Sequence, residues 1–269
     1  MADTVRAILF DLDDTLLGND MDRFLKAYFE LLAPHVAAYV PPEKFIPALL
    51  AATRTMVENT DPGVTNQQAF VADFFPRIGR TMDELMPVFD DFYATQFGKL
   101  CPQTRRLPEA RSIVRAAFDA GYDVVIATNP LFPDTAIRQR LEWADVAEFP
   151  FKLVTSYEVM HFSKPHPEYY LEIAERIGRQ PSECVMVGDA WENDIAPAMR
   201  AGLRVYWIIT NAGMLDPKGL RNPLGLESDS DAQGRLADFG RWLTEGMLNA
   251  LRAKRRARGL SVSKLRAVK

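Results

Sequence analysis

Short apolar runs alternate with longer stretches of helical character over much of this chain. Four runs of five to seven residues are dominated by apolar side chains, and they are Val5–Phe10, Tyr122–Ala127, Glu183–Val187 and Leu203–Ile209. Phe151–Thr155 is a weaker strand candidate. Helix-length stretches separate these runs, and they are Pro108–Ala120, Asp134–Trp143, Pro167–Ile177 and Ile195–Ala201. Strands that alternate with helices predict an α/β fold, with a largely parallel sheet covered by helices on both faces.

The segment from residue 18 to about residue 104 follows a different pattern. Apolar side chains such as Phe24, Tyr28 and Leu32 recur at helical spacing. Further helices are expected after Pro41-Pro42, around Phe70–Phe75, and after Thr81, where Glu84 completes a capping box. No strand-like run is evident. The pattern predicts a helical insert of about four helices, with a core of its own rich in phenylalanine.

The end of the chain combines an amphipathic stretch with a basic one. Arg235–Leu251 has the spacing of an amphipathic helix. Residues 251–269 contain eight Lys or Arg and no acid, so the net charge of −4 divides into about −12 for residues 1–250 and +8 for the end. The acidic body argues against a nucleic-acid partner. Docking of the basic end on a neighbouring subunit, in a homo-oligomer, remains open.

Composition places the chain among globular proteins of a reducing compartment. Hydrophobic residues make up 48% and charged residues 25%. No run approaches the roughly 18 apolar residues that a membrane span needs, and the first residues lack a secretion signal. Cys101 and Cys184 form no close pair in the sequence. We therefore predict a cytoplasmic protein with no membrane partner.

Polar residues stand where the predicted strands end. Seven of them are candidates for a common site, and they are Asp11, Asp13, Thr128, Asn129, Lys164, Asp189 and Asp194. The carboxyl ends of parallel strands meet at one edge of a sheet, so these side chains can converge. Carboxylates packed together repel one another without a cation, and Mg²⁺ takes oxygen ligands from carboxylates and phosphate. The pattern predicts an aspartate that works beside a divalent metal.

These residues resemble the four motifs of the haloacid dehalogenase-like hydrolase superfamily. Asp11-Leu12-Asp13-Asp14-Thr15 matches Asp-x-Asp-x-Thr, although many members have Gly where Asp14 stands. The threonine, the lysine and the Gly-Asp-x-x-x-Asn-Asp motif follow in order, and they are Thr128, Lys164 and residues 188–194. The resemblance implies a Rossmann-like core of residues 1–17 and 105–225. It also implies a helical cap at 18–104, and leaves 226–269 as a C-terminal helix and basic tail.

The resemblance also implies roles for the site residues in phosphoryl transfer. Asp11 is the expected nucleophile, and Asp13 the expected acid and base. Thr128, Asn129 and Lys164 are expected to hold the phosphate. Mg²⁺ is expected on Asp11, the backbone carbonyl of Asp13, Asp189 and, through water or as an outer partner, Asp194. Thr15 is expected to hold the turn through its hydroxyl group.

The function predicted in this way is a Mg²⁺-dependent phosphatase acting on a small phosphomonoester. An acid at Asp13 favours phosphate esters over halides, because a halide leaves without a proton. A phosphomutase with the same site, or a non-catalytic protein that binds a phosphorylated ligand, remains open. Arg54, Tyr28 and His35 are candidates for substrate contacts from the cap, and the sequence does not identify the substrate.

Overall fold

The computed structural model describes residues 4–209 and 232–244. Its strands are β1 (Ala7–Phe10), β2 (Leu17–Asn19), β3 (Thr104–Arg106), β4 (Asp123–Ile126), β5 (Leu153–Val154), β6 (Cys184–Gly188), β7 (Arg204–Ile208) and β8 (Ala232–Gly234). Within the described ranges, six strands form one sheet in the order β5-β4-β1-β6-β7-β8. Every neighbouring pair in this sheet is parallel. The predicted α/β fold with a parallel sheet is confirmed.

Helices cover both faces of this sheet. The described α-helices are α1 (Met21–Val36), α2 (Pro42–Glu58), α3 (Asn66–Ile78), α4 (Met82–Thr95), α5 (Ala110–Asp119), α6 (Asp134–Trp143), α7 (Pro167–Arg176), α8 (Ala196–Arg200) and α9 (Leu236–Thr244). Ile8 and Phe10 pack on the side of α5, α6 and α9, whereas Ala7 and Leu9 pack on the side of α7 and α8. This alternation follows from the two-residue period of a strand. Among the described helices, none has the length and apolar character needed to cross a membrane.

Four helices, α1–α4, fill the segment between β2 and β3, as the helical spacing predicts. Their core is rich in phenylalanine, and its fully buried members include Phe24, Phe45, Phe74, Phe92 and Phe97. The expectation that this segment and its borders contain no strand is wrong. β2 and β3 pair antiparallel where the chain leaves and re-enters the core. Each has three residues, too few and too polar to produce a hydrophobic pattern.

The described part of the C-terminal region joins the core. β8 extends the sheet beside β7, and α9 packs against α5 through a face that includes Phe239. The sequence predicted a helix from Arg235 to Leu251 and no strand before it. The described helix is Leu236–Thr244, and the remainder of the predicted helix and the basic stretch lie outside the described residues.

Candidate active site

The site is built where three neighbouring strands of the sheet end. β1 lies between β4 and β6, so Asp11, Thr128 and Asp189 follow adjacent strand ends. Backbone hydrogen bonds continue past the strands, from Ala127 N to Phe10 O at 2.7 Å and from Asp11 N to Val187 O at 2.9 Å. The backbone alone therefore fixes the starts of the three loops relative to one another.

Lys164 joins two of the predicted acids. Its Nζ donates to Asp11 Oδ1 at 2.6 Å and to Asp194 Oδ1 at 2.5 Å. All three side chains are buried, and Asp194 is only 1% exposed. Burial opposes the charged form of Lys164, but attraction to Asp11 and Asp194 outweighs it and raises the pKa of the lysine well above its usual value. The ammonium group is therefore held in its charged form.

Carboxylates outnumber this single cation. One carboxylate oxygen from each of Asp11, Asp189 and Asp194 lies within 4.8 Å of the others. Burial raises the pKa of Asp189 to about 7, and repulsion from Asp194 and Asp14 adds to the effect. Burial also raises the pKa of Asp11, against the attraction of Lys164. The excess negative charge and the all-oxygen donor set suit a hard divalent cation.

The loop after β6 is held by the site itself. Asp194 Oδ2 accepts a hydrogen bond from Ala190 N at 3.1 Å, which closes the turn that directly follows Asp189. Trp207 on β7 donates from Nε1 to the backbone carbonyl of Asp189 at 2.8 Å. Asp194 lies in a π-helical turn, Trp191–Ile195, which leads into α8. Asp194 thus shapes the loop that presents Asp189 and also orients Lys164.

Thr128 and Asn129 stand next to the lysine loop. The backbone carbonyl of Thr128 accepts from the hydroxyls of Thr155 at 2.7 Å and Tyr169 at 2.8 Å. Asn129 Oδ1 accepts from the backbone N–H of Lys164 at 3.2 Å. The asparagine therefore ties the loop after β4 to the loop that carries the lysine.

Asp13 is held by two residues that the sequence reasoning missed. Its Oδ1 accepts from Asn19 Nδ2 at 2.8 Å and from the guanidinium of Arg140. The signal for Arg140 was present, since Ala136 and Ile137 precede it by four and three residues and place it on the apolar face of α6. No pattern pointed to Asn19, because β2 was not predicted.

The turn after Asp13 explains one departure from the family pattern and corrects one expectation. Asp14 has a φ of +51°, a left-handed conformation that favours glycine. Its Oδ1 accepts from Asn19 N at 2.9 Å, a local bond of the kind that lets aspartate adopt this conformation. Thr15 does not hold the turn as expected, since its buried hydroxyl has no hydrogen-bond partner among the described residues.

The cap candidates have unequal positions. A cavity of about 180 Å³ lies between helices α1–α4 and residues 131–133, and its lining includes Tyr28 and Phe132. Tyr28 pairs its hydroxyl with that of Tyr93 at 2.9 Å. His35 Nε2 lies 3.2 Å from Asp91 within the cap. Arg54 is exposed on α2.

Comparison with known proteins identifies the family. The model of the haloacid dehalogenase-like hydrolases matches residues 5–202. The chain belongs to this family. The resemblance inferred from the four motifs is thereby confirmed, and the site described above lies within the matched residues of this hydrolase.

The relatives of this hydrolase include phosphatases at low identity. A phosphoglycolate phosphatase of Salmonella typhi is 31% identical over 119 residues, and the match covers 44% of either chain. The aligned part thus spans less than half of that relative. A phosphoserine phosphatase of Thermus thermophilus is 26% identical over 233 residues, covering 80% of this chain and 92% of that protein. A solved 2-haloacid dehalogenase of Pseudomonas syringae shares the fold, with a TM-score of 0.55, 22% identity and coverage of 90% and 99%.

Proposed function

We propose that this hydrolase is a Mg²⁺-dependent phosphatase that cleaves a small phosphomonoester through an aspartyl-phosphate on Asp11. The observation that carries the proposal is the environment of two aspartates at the end of β1. Asp11 is buried against a charged lysine, whereas Asp13 keeps a side chain that is 22% exposed. A fixed cation lowers the repulsion between a carboxylate nucleophile and an anionic phosphate. The phosphatase names of the relatives support the same class of substrate.

The proposed reaction has two steps, and Asp13 loses a proton in the first and regains one in the second. In the first, Asp11 attacks phosphorus, the bond from phosphorus to the ester oxygen breaks, and Asp13 gives that oxygen its proton. In the second, Asp13 takes a proton from water, whose oxygen attacks phosphorus and releases Asp11 and inorganic phosphate. Lys164 stays charged throughout. Its ammonium group offsets the negative charge of Asp11 and of the phosphoryl group.

A divalent cation fits the residues that are present. Asp11, Asp189 and Asp194 supply carboxylate oxygens close enough to share one ion, and their charge exceeds that of Lys164. Mg²⁺ is the proposed ion, with the backbone carbonyl of Asp13 as a further donor. When bound, Mg²⁺ would neutralise charge on the phosphate oxygens. The carboxylates would remain in place because Lys164, Ala190 and Trp207 hold them or their backbone.

The partner proposed for this site is a small phosphate ester whose identity stays open. Tyr28 is the cap candidate placed best, because it lines the cavity beside Phe132. His35 is engaged with Asp91 inside the cap, so we rank it below Tyr28. The cytoplasmic location stays a prediction from the sequence.

The test is turnover of aryl phosphates and of a metabolite panel, with and without Mg²⁺, by the wild type and Asp11→Asn. The panel includes phosphoglycolate and phosphoserine, the compounds in the relatives' names. We expect Mg²⁺-dependent release of phosphate, and a loss of about 10³-fold or more in Asp11→Asn because the nucleophile is gone. Asp119→Asn makes the same chemical change at an exposed position and should retain full activity. Mass spectrometry of quenched reactions should find a phosphoryl group on the peptide that holds Asp11.

Three outcomes would contradict the proposal. Phosphoryl transfer to a second substrate molecule instead of water would favour a phosphomutase. Binding of phosphorylated compounds without turnover of any of them would favour a non-catalytic protein. Turnover that survives in Asp11→Asn would place the nucleophile elsewhere.

A further inference from the structure

A buried arginine contacts the proposed acid, Asp13. Arg140 on α6 is 1% exposed, and its guanidinium pairs with Oδ1 of Asp13. Taking a guanidinium out of water is costly unless the charge is paired and hydrogen-bonded. An arginine with only a surface role would lie on the exposed face of α6. The burial of Arg140 therefore indicates that its guanidinium has a specific partner inside the protein.

Two aromatic rings fix the direction of this guanidinium. The central carbon of the group lies 5.5 Å from the ring centroid of Phe24 and 5.6 Å from that of Phe132. Phe24 belongs to α1 of the cap, and Phe132 to the loop after β4. Cation–π contacts from both neighbours restrict the rotation of the side chain. The cap and the core thus both contribute to the position of Arg140.

Asn19 donates to the same oxygen of Asp13. With Asn19 Nδ2 at 2.8 Å and Arg140 both on Oδ1, this oxygen is occupied by two donors. Oδ2 makes no hydrogen bond with the described residues. The carboxyl group is therefore held by one oxygen, and the other is left to exchange a proton with a reacting group.

We propose that Arg140 is a positioning residue for the acid and base of this hydrolase. Together with Asn19 it holds Oδ1 of Asp13, so that Oδ2 faces the ester oxygen in the first step and water in the second. In the first step the Oδ2–H bond breaks and the O–H bond of the leaving alcohol forms as the bond from phosphorus to oxygen breaks. This inference rests on the proposed phosphatase function and assigns a role within it to a residue outside the four motifs.

The experiment compares substrates that differ in their need for an acid. Nitrophenyl phosphate has a leaving group that departs without a proton, whereas an alkyl phosphate needs one. We expect Arg140→Met to lower kcat/KM, which reports the first step, by about 10²-fold or more on the alkyl phosphate and by less than about fivefold on nitrophenyl phosphate, since general acid catalysis is worth roughly 10²–10⁴-fold. The value of kcat should fall on both substrates, because the second step, in which Asp13 acts as base, is common to them. Arg140→Lys should recover part of the loss, because an ammonium group can still donate to Oδ1.

Two further variants separate positioning from general damage. Arg138→Met removes an arginine from the same helix whose side chain is 60% exposed, and should leave both substrates unaffected. Asp13→Asn should reproduce the dependence on the leaving group. The double variant with Arg140→Met should be no slower than Asp13→Asn alone, because both changes remove one function.

Other outcomes would overturn the inference. An equal loss of kcat/KM on both substrates would make Arg140 structural, and a raised KM with an unchanged kcat would make it a substrate-binding group. If the wild type hydrolyses no phosphomonoester, the proposed function fails on its own, and a crystal structure of Arg140→Met still decides the positioning claim. We expect the Asp13 carboxyl group to rotate in that structure, and an unchanged orientation would refute the role of Arg140.

Discussion

At the scale of single residues, the site depends on how closely Gly188 approaches Asp194. A Cβ added to Gly188 would overlap the Asp194 side chain and lie 2.7 Å from its Cβ. Asp194 cannot easily give way, because its two oxygens bond Lys164 and Ala190. The glycine at the end of β6 is therefore needed for space, and not for a special φ angle.

Gly188→Ala should damage activity and stability together. We expect a loss of about 1–3 kcal/mol in the free energy of unfolding, the usual range for overpacking. The proposed phosphatase activity should fall because Asp194 can no longer orient Lys164. Urea unfolding and turnover assays measure the two effects. Gly98→Ala is the matched control, since its added Cβ would meet only Gln139 Oε1 at 3.4 Å. Full activity in Gly188→Ala would show that the loop after β6 adapts.

At the scale of elements, the sequence predicted those parts whose signal is local. The apolar runs predicted β1, β4 and β6, and the polar residues after them, Asp11, Thr128 and Asp189, were expected to lie together because strand ends in a parallel sheet converge. The three-residue β2 and β3 have no such signal. They pair across the long segment that holds α1–α4, and neither short sequence predicts a partner so far away in the chain. Asn19 and Arg140 act on Asp13 only once that pairing and α6 are in place.

The C-terminal elements illustrate the same limit. The amphipathic spacing predicted α9, but its partner could not be read from its own sequence. Phe239 on α9 is fully buried and meets Phe10 of β1 and Tyr206 of β7 edge-on, at centroid distances of 5.7 and 4.9 Å. The helix thereby packs on the strand whose end carries Asp11, the proposed nucleophile.

Phe239→Ala should therefore destabilise the whole core. Truncation of a buried phenylalanine removes about 3–5 kcal/mol from the free energy of unfolding. Arg241→Ala changes a side chain on the same helix that is 70% exposed and ion-paired at the surface, and should lose less than about 1 kcal/mol. Chemical denaturation of both variants measures the difference. Similar, small losses in the two would mean that α9 contributes little to the core.

At the scale of the whole molecule, the fold brings three carboxylates together at the ends of the central strands, and their negative charge exceeds the positive charge beside them. Lys164 balances one charge among Asp11, Asp189 and Asp194, and the pKa of Asp189, raised to about 7 by burial and by its neighbours, reflects the remainder. Without a cation, this arrangement lowers the stability of the folded state. With a cation bound, the same carboxylates become ligands and stabilise it, because an ion that binds only the folded protein shifts the equilibrium towards it.

The effect of Asp189→Asn on stability should therefore depend on Mg²⁺, with no loss in its absence and a loss relative to the wild type in its presence. In EDTA the variant should be at least as stable as the wild type, because a partly buried carboxyl group repelled by Asp194 has been replaced by a neutral amide. At Mg²⁺ concentrations 100 times its dissociation constant, the wild type should gain about 2.7 kcal/mol, and the variant should gain much less. Thermal unfolding across a Mg²⁺ titration measures both gains without any need for turnover, with Asp119→Asn expected to behave as the wild type does. Equal gains in Asp189→Asn and the wild type would exclude Asp189 as a ligand, and no gain in either would remove the metal from this site.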